Sequence, residues 1–250
     1  YMDMTKYLFL AVIVLSASCT SGLNRKQTTM EGLRETVVTN SGGSGNELTI
    51  DLYRGKSFYY PLMAIWLEDM QGSYIQTLYV ARSVATGTFR YGKQDKKGWI
   101  TAPKRAPQTL PYWAHRRGVV ASDGLFMPEP SNPVPDAYTG PTPVTGFTLR
   151  SKPDNKLQGR FRVMLEINQN WDWNEYWTND KFPGDEHYSM SCQPAVVYEA
   201  VVDTGSPDSS FRMKPIGHSH YSGKTGELFP DLSTLTTALQ IADSIVVRLK

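Results

Sequence analysis

Gly159–Asn168 reads "GRFRVMLEIN". Phe161, Val163, Leu165 and Ile167 share one parity; Arg160, Arg162, Met164 and Glu166 share the other. Side chains of a strand alternate between faces with period two. The pattern is therefore a half-buried strand, with an apolar face on a core and a mixed face turned outward. It carries an energetic expectation: Arg162→Ala on the outward face should cost well under about 1 kcal/mol.

The same period recurs on both sides of this stretch. "ELTIDLYR" alternates Leu48, Ile50 and Leu52 with polar neighbours. "SFYYPLMAIWLED" and "SYIQTLYVAR" are two apolar runs around "MQG", a hairpin signal. "TGFTLR", "PAVVYEAVV", "SSFRMKPIG" and "DSIVVRLK" continue the series. About eight such strands with Gly/Pro punctuation predict an all-β fold, an Ig-like antiparallel β-sandwich with long loops and one or two short helices. Two stretches suit helix: "PQTLPYWAHRRG", ending at Gly118, and "DLSTLTTALQIAD", with an N-cap at Asp231 or Ser233 and room for three turns. The Pro-rich run from Val119 to Val144 reads as a long ordered loop.

Of 250 residues, the basic and acidic side chains nearly cancel, leaving a formal net charge of +2. That excludes the strong basic field of a nucleic-acid binder. The N-terminus reads as a targeting segment. Lys6 precedes the apolar run Tyr7–Leu15, which is too short to span a bilayer, and Ser16, Ala17 and Ser18 lead to Cys19. This is the pattern of a bacterial lipoprotein signal, with Cys19 lipidated and the membrane reached through that lipid. The organisation expected is a signal peptide over 1–18, a flexible tether over 19–46 and a single sandwich domain over 47–250. Cys192 would then be the one remaining thiol, and it reads as a small buried residue rather than a nucleophile.

"PLMAIWLEDMQGSYIQTLYV", "LPYWAHRRG", "DAYTGPTPVTGFTL" and "GRFRVMLEIN", in that order, resemble a family of predicted periplasmic and lipoprotein Ig-like domains of unknown function. The likeness spans Phe58 to Leu249, and "GHSHYSGKTGELFPDLSTLTTAL" resembles the version in Bacteroidota-type lipoproteins. The resemblance implies a cell-envelope location, on the periplasmic or outer-membrane side. It implies no activity and no catalytic residues. The company such proteins keep suggests an accessory to an envelope redox or metal-uptake system.

Candidate chemistry sits in two loops. "NQNWDWNEYWTNDKFPGDEHY" interleaves Trp171, Trp173, Tyr176 and Trp177 with Asp172, Glu175, Asp180, Asp185, Glu186 and His187. If the strand continues, Trp171, Trp173 and Trp177 share a face. Such rings stack on sugars while carboxylates such as Glu175 and Glu186, with His187, take sugar hydroxyls. The bland alternative is that the rings cover one end of the core. In the second loop, His218 and His220 stand two apart, with Glu227 and Asp231 behind. Were both on one strand face, they would begin a divalent-metal site with Asp231, although two histidines alone fall short of a zinc site. The alternative is histidines that hydrogen-bond backbone and hold a loop. "GKTGE" lacks the first glycine of a phosphate loop and reads as a turn with Gly223 at positive φ. No cofactor is predicted beyond that open metal question. The functional expectation is a non-catalytic binding or accessory domain, with a glycan or an envelope protein as partner. The alternative is a glycan-active or glycan-binding protein that uses the loop over 170–188.

Overall fold

The computed structural model describes residues 34–250. The signal peptide over 1–18 and the lipidation site Cys19 lie outside the described residues. The strands are β1 (Arg34–Thr39), β2 (Leu48–Arg54), β3 (Leu62–Glu68), β4 (Tyr74–Ala81), β5 (Thr88–Asp95), β6 (Gly98–Pro103) and β7 (Thr139–Gly140). They continue with β8 (Gly146–Ser151), β9 (Arg160–Asn168), β10 (Val196–Asp203), β11 (Ser210–Arg212), β12 (Lys214–His218) and β13 (Ala242–Leu249). Three short helices join them: α1 (Arg82–Thr86), α2 (Pro111–Arg117) and α3 (Glu186–Ser191).

Two sheets face each other, one ordered β1-β8-β2-β13-β11 and the other β12-β10-β9-β3-β4-β7. Phe161, Val163, Leu165 and Ile167 of β9 meet Ile50, Leu52, Phe147, Leu149, Ile245 and Val247 of the opposite sheet in one buried cluster. The sandwich and the inward face of β9 are as the alternation predicts. Most pairings are antiparallel, but two edge pairs, β1 with β8 and β4 with β7, run parallel.

The outward face of β9 is not solvated. Met164 and Glu166 are fully buried, and Arg162 is bound into ion pairs. The cause lies far away in sequence. α2 and α1 lie across the outer face of the six-stranded sheet. There Trp66, Met164 and Val197 pack with Val84, Tyr112 and Trp113 in a second apolar cluster. The molecule therefore has three layers, and β9 is buried on both faces.

Three further expectations change. The folded body begins before Glu47. Arg34–Thr39 pairs along its whole length with β8, Val37 is buried, and Arg34 bonds Asp51 at 3.0 Å, so residues 34–46 are no tether. The three-turn helix expected after Asp231 is a single 3-10 turn, Thr237–Gln240. Gln193 Oε1 accepts from Thr236 N at 2.7 Å and so spends the amide on a tertiary contact at the turn's start. "SSFRMKPIG" is not one strand: β11 lies in one sheet and β12 in the other, and the chain crosses between them at buried Met213.

Glu166 is held where α2 meets the sheet. Its carboxyl accepts from Tyr112 N at 3.2 Å and Trp113 N at 2.7 Å. Burial pushes it up to about 8, against the opposing pull of those two donors. An unfolded glutamate titrates at about 4.3, so the folded state keeps a proton that the unfolded chain has lost. This contribution is complete below the unfolded value and is lost as pH rises towards 8. His218 and His220, lowered by burial, act in the opposite sense and only below about pH 6.5. Stability should therefore fall by up to about 2 kcal/mol between pH 6.5 and 8. Denaturant melts across that window check this; a flat or rising profile would overturn the assignment of the proton to Glu166.

Candidate functional site

One end of the sandwich carries four exposed aromatic rings, those of Tyr59, Tyr60, Trp171 and Trp173. β9 finishes there, because Asn168 pairs with Leu62 at the start of β3. Asn168 is buried, and its amide donates to Gln108 O and Thr109 O at 3.1 Å each and to Ser191 Oγ at 2.9 Å. That amide joins the end of β9 to the chain before α2 and to the end of α3. Gln169 Oε1 accepts from Tyr59 N at 2.7 Å, which ties the segment before β3 to the same place.

The strand period stops at Trp171, whose φ is +64°. The chain reverses and is locked against α3: Trp171 N donates to Met190 O at 2.9 Å, Asp172 N to Ser191 O at 3.1 Å, and Gln193 N to Asp172 O at 3.0 Å. Trp171 and Trp173 are left 65% and 56% exposed on a backbone that is bonded at both sides. Tyr59 and Tyr60 are 72% and 58% exposed, their rings edge-on at 5.1 Å. Tyr60 also has positive φ, +49°. Non-glycine residues in the left-handed region cost on the order of 1–3 kcal/mol each and persist where surroundings impose them. Here two of them aim aromatic side chains into solvent.

Trp177 departs from this group. Asn174 accepts from Tyr176 N at 3.0 Å and Trp177 N at 2.7 Å, a turn that swings Trp177 inward. Its indole N–H donates to Thr234 Oγ1 at 3.1 Å. Its ring packs on Tyr188, His218 and Tyr221 at centroid distances of 6.3, 5.9 and 6.0 Å. The expected shared face of Trp171, Trp173 and Trp177 does not form, because the strand ends first; Trp177 is core. Tyr176 remains exposed, with Lys181 Nζ 3.3 Å from its ring centre.

The acids of the loop are dispersed. Asp172 accepts from the Thr237 hydroxyl, and burial raises its carboxyl. Asp185 caps α3 by accepting from Tyr188 N at 3.0 Å and pairs with Lys224 at 3.4 Å. Glu175 and Glu186 are exposed, and His187 is half-buried on α3. Cys192 is buried at the end of α3 with φ +67°, and burial with the nearby Asp172 pushes its thiol up to about 11. It is an inert thiol rather than a nucleophile.

The histidine pair is structural in geometry. His218 closes β12, and its amide and carbonyl exchange bonds with Phe229 at 2.8 Å each way. Its Nδ1 lies 2.8 Å from Ser219 O, to which it donates, and its ring stacks on Phe229 at 5.3 Å. His220 lies beyond the strand, where its Nδ1 accepts from Ser222 N at 3.1 Å and its ring stacks on Tyr221 at 4.5 Å. The face-sharing argument therefore lapses. Asp231 is occupied in its own turn, accepting from Ser233 N at 2.9 Å. Among the described residues no three His, Cys, Asp or Glu side chains group to hold a metal ion. Gly223 takes φ +74°, as the turn reading of "GKTGE" requires, and a Cβ there would lie 2.2 Å from Pro107 O.

Tyr59 and Tyr60 escape a reading by period, since "SFYYPLMAIWLED" looks like one apolar run. Pro61 was the available signal: proline restricts the residue before it and marks a boundary.

The chain matches no family model, no curated protein and no solved structure.

Proposed function

We propose that this protein is a non-catalytic binding domain of the bacterial cell envelope, anchored by lipid at Cys19, whose aromatic end takes the rings of a glycan. The observation that carries the binding reading is the exposure of Tyr59, Tyr60, Trp171 and Trp173 at one end, two of them on left-handed backbone. Rigid rings stack on the apolar faces of sugars at little entropic cost. The acids around them are spread among caps, turns and solvent, which suits hydrogen bonding to hydroxyls more than a catalytic pair. The envelope location rests on the leader pattern and on the family resemblance.

Titration of the full-length protein with envelope polysaccharides, followed by calorimetry, tests this reading. Each of Trp171→Ala and Trp173→Ala should weaken binding about 3- to 10-fold, the worth of one aromatic contact. Neither should shift stability by more than about 0.5 kcal/mol, since both rings are exposed. Unchanged affinity in the double variant would remove the glycan reading.

A further inference from the structure

The β5–β6 hairpin belongs to neither sheet of the sandwich. Between Thr88 and Pro103 it carries Arg90, Lys93, Lys96 and Lys97 against a single acid, Asp95. Asp95 is itself tied into the turn, accepting from Lys97 N at 2.7 Å. Two cations stand over rings: Arg90 lies 5.4 Å from the Tyr91 ring, and Lys104, just beyond β6, 5.9 Å from that of Trp99. Tyr91, Trp99 and Ile100 are 59%, 51% and 41% exposed. Trp99 pairs with Gln94 and Ile100 with Lys93, so successive apolar residues leave the ribbon on opposite faces.

Apolar groups on both faces of a cationic ribbon do not suit a flat protein partner, which would cover one face. A soluble polyanion would satisfy the cations and leave Ile100 wet. A lipid headgroup layer satisfies both: it surrounds an inserted ribbon, takes Trp and Tyr at its boundary and presents phosphates to Lys and Arg. We propose that the β5–β6 hairpin docks on an anionic bilayer, with Tyr91, Trp99 and Ile100 entering the headgroup layer and Arg90, Lys93, Lys96 and Lys97 on lipid phosphates.

The hairpin's place in the fold agrees. It follows β4 and α1 at the end where β4 finishes, since Ala81 pairs with Gly140. Val37 lies against that same Gly140, and Thr39 Oγ1 donates to Leu78 O at 2.6 Å. Read backwards from Thr39 to Arg34, β1 therefore runs towards that end, and the chain that leads to Cys19 departs there. The fifteen residue-to-residue steps from Cys19 to Arg34 reach at most about 50 Å. Beside a lipid anchor, a basic patch is a second contact with the same membrane and orients the body on it. That agreement rests on the anchored reading; the hairpin's own composition does not.

The test uses the lipidated full-length protein with an environment-sensitive dye on Thr101→Cys, an exposed position of β6. Cys192 is buried and does not compete for label. Vesicles are phosphatidylcholine with or without phosphatidylglycerol. A blue shift confined to the phosphatidylglycerol vesicles is expected. Lys93→Gln/Lys96→Gln/Lys97→Gln should lower the docking constant about a hundredfold, at about fivefold per cation. Trp99→Ala/Ile100→Ala should abolish the shift. Flotation with neutral vesicles reports the Cys19 anchor separately, so its failure would count against the anchored reading alone. Equal spectra on both vesicles would overturn the proposal, as would an equal shift on soluble dextran sulfate, which would make the hairpin a polyanion site.

Discussion

Arg162→Ala should destabilise the protein by about 3 kcal/mol, several times what an outward-facing arginine is worth. The Glu68 side chain is fully buried, with Arg162 Nη1 3.0 Å away, and Arg162 Nε also reaches Glu199 at 2.6 Å. Removing one partner of a buried pair leaves an uncompensated charge and costs about 3–5 kcal/mol. The low end applies, because Trp66 Nε1 still donates to Glu68 at 2.9 Å and Arg116 Nε remains at 3.7 Å. Burial already raises the Glu68 carboxyl, so the neutral acid is within reach. The loss should therefore shrink as pH falls and Glu68 takes a proton, whereas a loss due to packing would not move. Denaturant unfolding of both forms at pH 7 and pH 5 distinguishes the two. A loss below about 0.5 kcal/mol at pH 7 would return Arg162 to the surface.

Trp177→Ala should cost about 3–5 kcal/mol, the usual range for a buried tryptophan. The ring is 6% exposed and sits between the loop after β9 and the loop after β12. Its loss opens a cavity among Tyr188, His218 and Tyr221 and leaves Thr234 without its indole partner. Limited proteolysis should find new cuts within 170–190 and 219–236. The contrast with Trp171 and Trp173 is the sharper measurement. Three tryptophans within seven positions of sequence should separate into one that sets stability and two that set binding. Similar melting temperatures for all three single variants would refute the inward turn at Asn174.

What was legible in the sequence is what short range decides. The period of two in "GRFRVMLEIN" places Phe161, Val163, Leu165 and Ile167 in the core, where they lie. "MQG" marks the turn between β3 and β4, with Gly72 at φ +84°. Pro111 and Gly118 bracket α2 as proline and glycine bracket helices generally. What was illegible depends on distant partners. Nothing within β9 says that α2 will cover Met164 and Glu166, so its outer face reads as solvated when it is buried. β1 offers Val37 as its one buried apolar residue, too weak an alternation to lift it from the tether. At the site, the sequence offers Trp171 and Trp173 as candidate rings but gives Trp177 the wrong face, since a single left-handed residue at 171 ends the period of two. The histidines were found as a pair and resolved only by their partners, Phe229, Ser219 and Ser222.

The parallel pairing of β1 with β8 has a mechanical meaning. A body tethered through the chain that precedes Arg34 would feel drag as a pull along the axis of β1. Six residues of β1 are in register with β8. Load along that axis shears the whole ladder at once, whereas load across it would peel one bond at a time. The first strand of the fold is placed to act as a clamp against traction, and a pulling experiment from the N-terminal side should meet a far higher rupture force than one that lifts the short strand β11.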